Sequence, residues 1–136
     1  MQNDPGQKNI LELAYLGDAL YELYVREHVL RTASTPRADL LHKEGVRFVC
    51  AAGQAEALRT MADEGFLTED EADFARRAHN HKTATKPKNA DPVDYKWATA
   101  FEALLGLKHL SGEKERLAEL MRRAIEITEE RHNSNA

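Results

Sequence analysis

The sequence lacks several features that anchor or cross-link other classes of protein. Cys50 is the only cysteine among 136 residues, which excludes an internal disulfide and a cysteine-based zinc site. The usual environment of such a lone cysteine is a buried apolar one. No apolar run approaches the roughly 20 residues of a membrane-spanning helix, and the first residues show no signal-peptide pattern. We therefore expect a cytoplasmic protein without membrane contact.

Glycine and proline are also scarce. Seven glycines and four prolines are too few for a disordered or loop-dominated chain. The 42% of hydrophobic residues are enough to bury a core, and the length is that of one domain. We expect a single domain over residues 1–136, with an ordered core from about residue 8 to about residue 131.

The chain has no net positive charge, since its formal net charge is -4, but its basic residues are unevenly distributed. The segment from residue 76 to residue 88 has no acidic residue and five basic ones, which are Arg76, Arg77, Lys82, Lys86 and Lys88. Binding of a nucleic acid depends on such a local basic patch and not on the average charge of the chain. The alternative is a solvated basic surface that binds nothing.

The apolar pattern is helical, and no segment alternates as a strand would. Residues Ile10 to about Leu30 read ILELAYLGDALYELYVREHVL, which predicts a long helix that is apolar around most of its circumference. Such a helix belongs in the centre of a bundle or at a subunit interface. A second helical region follows from Pro36, a residue suited to a first helical turn, to about residue 62, and either Gly45 or Gly53 could divide it.

Three more helices are predicted from capping signals and periodicity. Thr68 starts a capping box, which predicts a helix over about residues 69–78. A polar, basic loop follows. Asp91 and Pro92 are typical of an N-cap and a first helical residue, and the helix after them runs to about residue 110. The last helix covers about residues 113–130, with one apolar face formed by Leu117, Leu120, Met121, Ala124 and Ile127.

Each of the two most apolar helices contains an acidic residue. Asp18 follows Gly17, which allows another backbone to come close, and Glu102 shares a helix face with the small residues Ala98 and Gly106. An isolated buried carboxylate is unfavourable, so it must be neutralised, paired or bound to a metal. One cation could satisfy both carboxylates.

Other interpretations of the two carboxylates remain open from spacing alone. Each could pair with a neighbouring hydroxyl or basic side chain, or face solvent. Glu22, one turn after Asp18, could be a third metal ligand or an ordinary surface residue. If a metal is bound, oxygen ligands favour Mg²⁺ or Mn²⁺ over zinc.

The residues around both carboxylates resemble a known family. LGDAL at positions 16–20 resembles the signature helix of ribonuclease III, and FEALLG at positions 101–106 resembles the second acidic motif of that family. The segments DLLHKEGVRFVCAAGQAEAL and TKPKNADPVDYKWATAFEALLG are similar to Mini-ribonuclease III, the short bacterial branch without a separate double-stranded RNA-binding domain. The resemblance runs in order along almost the whole chain.

This resemblance implies an all-α, single-domain ribonuclease III-like helical bundle that is a catalytic domain. The implied activity is magnesium-dependent cleavage of double-stranded RNA, with maturation of 23S ribosomal RNA precursors as the cellular task. Asp18 and Glu102 are the implied catalytic, metal-binding carboxylates, with Mg²⁺ as cofactor and Mn²⁺ as a possible substitute. The chain departs from the larger family at three further acidic positions, which here hold Leu11, Ala14 and Thr99. The metal site would then have a reduced set of ligands, as the short branch tolerates.

The resemblance also implies partners. A homodimer with the signature helix at its interface would provide two active sites for two strands. The interface candidates, each of which could instead be a core residue, are Leu16, Leu20, Tyr21, Leu23 and Tyr24. The basic segment would contact RNA phosphates. Two rival functions remain: a non-catalytic RNA-binding or ribosome-associated module of the same fold, and a helical protein-interaction module without RNA.

Overall fold

The computed structural model describes residues 9–81 and 91–134. These residues form helices and connecting turns, without a strand, which confirms the all-α prediction. The helices are α1 (Ile10–Thr32), α2 (Ala38–Val49), α3 (Ala51–Asp63), α4 (Glu69–Asn80), α5 (Pro92–Leu110) and α6 (Lys114–Ser134). None of them is long and apolar enough to cross a membrane.

Helices α1 and α5 pack against each other in the centre of the bundle. The start of α1 is fixed by a capping box between Asn9 and Glu12, and α5 begins with Asp91 as N-cap and Pro92 in the first turn, as predicted. One side of α1 is buried in the core, whereas Leu11 and Tyr15 on another side are exposed. An apolar surface on α1 therefore remains outside the core of the chain.

Two glycines allow α1 and α5 to touch backbone to backbone. A Cβ atom on Gly17 would overlap the carbonyl oxygen of Glu102, and a Cβ atom on Gly106 would overlap the carbonyl oxygen of Leu13. The sequence-based expectation of a close approach at Gly17 and Gly106 is thereby confirmed. Because the contact at Gly17 involves the backbone of Glu102 itself, it fixes that residue beside Asp18.

The region after α1 differs from the prediction in its boundaries. Pro36 lies before the first helical residue, Ala38, and the break between α2 and α3 falls at Cys50 instead of at either glycine. Cys50 has an extended backbone, and its Sγ accepts a hydrogen bond from the Gly53 amide at 3.4 Å. This cap replaces the turn that a glycine would supply. Cys50 is exposed, so its expected burial was wrong.

A buried ionic cluster joins α4, α5 and α6. The capping box at Thr68 is present as predicted and includes Glu71. The Glu71 carboxylate accepts hydrogen bonds from Arg116 at 2.8 and 2.9 Å and lies 2.9 Å from Lys108 Nζ. Burial alone would raise the pKa of Glu71, but these donors and the Thr68 amide lower it to about 2. The cluster fixes the relative positions of the three helices.

The last helix closes the core. It begins at Lys114, one residue after the predicted start, and its predicted apolar face is buried, with Leu120 and Ala124 fully inaccessible. Helix α6 packs mainly against α3 and α5. It thereby supports α5, which carries Glu102, and α3, which carries Gln54.

Candidate active site

The structure brings Asp18 and Glu102 together. Asp18 is exposed on α1, and Glu102 is partly buried on α5. The two side chains are close enough to hydrogen-bond to each other when one of them is protonated. The backbone contact at Gly17 is the structural cause of this proximity. Two carboxylates from distant parts of the chain therefore form one acidic pair on rigid helices.

The electrostatics of this pair are unfavourable in the absence of a cation. Burial raises the pKa of Glu102 to about 8, and the negative charges of Asp18 and, more weakly, Glu22 contribute to the increase. The Gln54 side chain acts in the opposite direction and lowers the pKa of Glu102. At neutral pH the metal-free protein therefore keeps a proton on Glu102.

Among the residues that the structure describes, no basic side chain neutralises the pair. Within residues 9–81 and 91–134, neither Asp18 nor Glu102 forms an ion pair with a lysine, arginine or histidine. The contrast with Glu71, which has two cationic partners, is clear. An acidic pair without a counter-ion is suited to binding a cation.

The donor set also limits what kind of cation fits. In the described part of the chain, no three His, Cys, Asp or Glu side chains are arranged to hold a metal together. Glu22 contributes charge to the site but lies 3.4 Å from Arg26, its ion-pair partner. Asp18 and Glu102 thus offer carboxylate oxygens only. That set fits Mg²⁺ or Mn²⁺, which bind through one or two carboxylates and keep several waters.

Two other buried polar residues are near Glu102, one in the sequence and one in space. Thr99, three residues before Glu102, is buried in α5. Gln54 of α3 is 1% exposed and interacts with the Glu102 carboxylate. Sequence reasoning missed Gln54. The available signal was a lone glutamine among alanines at the start of an amphipathic helix, where a buried amide needs a polar partner.

The described basic residues of the predicted RNA-binding segment lie on α4. Arg76 and Arg77 are both exposed. Arg76 pairs with Asp73 at 3.0 Å, and the Arg77 guanidinium lies 5.5 Å from the centre of the Phe74 ring. The other three residues of that prediction, Lys82, Lys86 and Lys88, lie outside the described residues.

The predicted interface residues occupy different environments. Leu23 is 60% exposed, and Leu16, Leu20 and Tyr24 are partly exposed. Tyr21, in contrast, is 1% exposed and packs edge-to-face on Phe101, with ring centres 4.9 Å apart. Tyr21 is therefore a residue of the hydrophobic core of the chain. The most exposed aromatic residue of α1 is one that the prediction did not include, Tyr15, at 85%.

Comparison with known proteins extends the sequence resemblance. Residues 11–113 match a family model described as the ribonuclease III domain, and this range contains both carboxylates. A crystal structure of a Fusobacterium nucleatum protein has the same fold, with a TM-score of 0.76 and 30% sequence identity. The match covers 92% of this chain and 98% of that one.

Proteins of similar length carry a more specific name. A Brevibacillus brevis protein named Mini-ribonuclease 3 is 42% identical over 129 residues, which are 95% of this chain and 94% of its own. A Symbiobacterium thermophilum protein of the same name is 44% identical over 119 residues, covering 88% and 89% of the two chains. The chain therefore belongs to the ribonuclease III family, in the branch of the proteins named Mini-ribonuclease 3, and is an endoribonuclease.

Proposed function

We propose that this endoribonuclease cuts double-stranded RNA with the help of Mg²⁺, and that Asp18 and Glu102 are its catalytic, metal-binding residues. One observation carries the proposal: these two carboxylates lie side by side without a basic partner among the described residues. The pair would be ionised only at a cost unless a cation bound to it. Mn²⁺ is expected to substitute for Mg²⁺ because it accepts the same oxygen ligands.

Each residue of the pair has a distinct task in this proposal. Exposed Asp18 is accessible to a phosphodiester, whereas the more buried Glu102 is held by its helix backbone against Gly17. Glu102 releases its proton when a cation binds, since ligands must be deprotonated. When bound, Mg²⁺ activates water for attack on phosphorus and stabilises the leaving oxygen. No side chain forms a covalent bond to the RNA.

The RNA is bound through its phosphates. Arg76 and Arg77 are exposed at the end of α4, and we propose that they contact the backbone together with Lys82, Lys86 and Lys88. Contacts to phosphates do not depend on base sequence. They suit duplex RNA, which proteins recognise mainly by its shape, its 2′-hydroxyls and its backbone. No appended RNA-binding domain is required for such contacts.

We further propose a homodimer. The exposed apolar surface of α1 supplies the contact, with Leu16, Leu20, Leu23 and Tyr24 as interface residues, while the core position of Tyr21 leaves it without a direct part. A two-fold dimer places two identical active sites at a fixed spacing. Two such sites are what cleavage of both strands of a duplex requires.

The proposed cellular task is the maturation of 23S ribosomal RNA precursors in the cytoplasm, by a single catalytic domain that covers residues 1–136. This task is supported by the resemblance to the short branch of the family. The names of the relatives give the class of enzyme and not its substrate. Cleavage sites on precursor transcripts would be mapped with the purified protein.

Cleavage of a long RNA duplex tests the proposed site. The wild-type protein should cut the duplex with Mg²⁺ and not with EDTA. Asp18→Asn and Glu102→Gln should each abolish cleavage while a gel-shift assay still shows RNA binding. Glu27→Gln, which changes an exposed acid on the same helix as Asp18, is the matched control and should cut normally. Full activity of both site variants would rule out the metal site.

A further inference from the structure

Gln54 is a buried polar side chain whose amide nitrogen has no hydrogen-bond partner among the described residues. It is 1% exposed, and its Nε2 atom makes no hydrogen bond to any of the described residues. Buried amides are normally hydrogen-bonded, and each exception calls for an explanation. A purely structural glutamine at this position would satisfy its amide from the neighbouring backbone.

The direction of the Gln54 side chain connects it to the acidic pair. Its side chain is close enough to the Glu102 carboxylate for the two groups to interact, and an amide N–H that faces a carboxylate can only be a donor to it. The geometry is short of a formed hydrogen bond. Hydrogen bonds in active sites are often long before the ligand binds and shorten in the complex.

The fold holds Gln54 in place at this point. It lies in the first turn of α3, next to Gly53. A Cβ atom on Gly53 would overlap the carbonyl oxygen of Arg47, near the end of α2. This tight corner sets the start of α3. Helix α3 packs directly against α5, which carries Glu102. The amide is thus attached to a rigid element and approaches the carboxylate from the side of the protein interior.

We propose that Gln54 is a positioning residue for metal binding: its buried amide donates a hydrogen bond to the ionised Glu102 carboxylate and orients that carboxylate towards the cation held with Asp18. This inference rests on the proposed metal site. It adds a residue that acts through Glu102 and does not itself touch RNA or metal. Partners of this kind fix the orientation of metal ligands, and their loss typically weakens metal affinity by about 10- to 100-fold.

Calorimetric titration with Mn²⁺ alone tests the proposal without RNA and without turnover. Gln54→Met replaces the amide with an apolar group of similar length, and its Mn²⁺ affinity should fall by about tenfold or more. Its unfolding midpoint in EDTA should stay the same or rise, because a buried donor without a partner is removed. Thr128→Val removes another buried group without a hydrogen bond, on α6, and should leave Mn²⁺ affinity within twofold.

The outcomes separate the possible explanations. Unchanged Mn²⁺ affinity in Gln54→Met would overturn the proposal, as would a parallel loss of affinity and of metal-free stability, which would show a structural role. If Gln54→Met does not fold, Gln54→Asn is tested in its place. Its shorter amide cannot reach Glu102, so the Mn²⁺ affinity should again fall about tenfold. Normal Mn²⁺ binding by this variant would refute the inference. Asp18→Asn is the reference, and full Mn²⁺ binding by that variant would instead refute the metal site itself.

Discussion

Replacement of Glu102 by glutamine should make the metal-free protein more stable at alkaline pH while it destroys the proposed active site. The ionised Glu102 carboxylate is partly buried and lies beside the negative charge of Asp18. Glutamine has nearly the same size and carries no charge. The substitution therefore removes an unfavourable interaction and leaves the packing of α5 on α1 intact.

The size of the effect follows from the pKa of Glu102, which is raised from 4.5 to about 8. The folded protein keeps a proton that the unfolded chain has released, so the free energy of unfolding decreases as pH rises from about 4.5 to about 8 and is level above that. The full shift corresponds to about 5 kcal/mol. Water reaches the partly exposed carboxylate, and we expect about 2–4 kcal/mol to remain after this screening.

Urea unfolding in EDTA at pH 5 and pH 9 measures the difference. Glu102→Gln should exceed the wild type by about 2–4 kcal/mol at pH 9, or about 6–12 °C in Tm. At pH 5 the folded wild type still holds the proton, so the difference should be below about 1 kcal/mol. Glu27→Gln, at an exposed position on α1, should show no such pH-dependent gain. The reasoning would be refuted by no gain at pH 9 or by an equal gain at both pH values.

Three further predictions concern the framework and the assembly. Glu71→Ala should lower the free energy of unfolding in urea by about 3–5 kcal/mol, because Arg116 loses its buried partner. Since the pKa of Glu71 is lowered to about 2, this difference should hold above pH 4.5 and shrink towards pH 2. A difference that does not change with pH would contradict the prediction. Gly17→Ala must push α1 away from Glu102, so it should lower the free energy of unfolding by at least about 2 kcal/mol and reduce RNA cleavage. Normal stability of this variant would contradict the close approach of the two helices. Leu23→Asp should convert the proposed dimer to a monomer in light scattering, and an unchanged mass would exclude this face.

Local signals in the sequence predicted most of the fold. The N-cap side chains of Thr68 and Asp91 accept hydrogen bonds from amides only two or three residues away, and the predicted starts of α4 and α5 were correct. The small residues Gly17 and Gly106 predicted a close approach of two helices, and the structure has both contacts. These features depend on only a few neighbouring residues, which is why sequence alone reveals them.

Features that depend on tertiary contacts were harder to predict. The break at Cys50 uses a sulfur as cap, a weak acceptor that no common capping pattern includes. Tyr21 and Leu23 both look like interface residues in a helix that is apolar around most of its circumference. Only the position of Phe101 shows that Tyr21 faces the core. The role of Gln54 likewise depends on how α3 packs against α5, which the periodicity of one helix cannot reveal.

The central claim is that Asp18 and Glu102 together bind a divalent cation, and a crystal soaked in Mn²⁺ tests it most directly. The anomalous difference map should show a peak between the two carboxylates, at bonding distance from an oxygen of each, and Asp18→Asn should lose that peak. A peak bound by other residues, or none at this pair in crystals of protein that cleaves RNA with Mn²⁺, would contradict the claim.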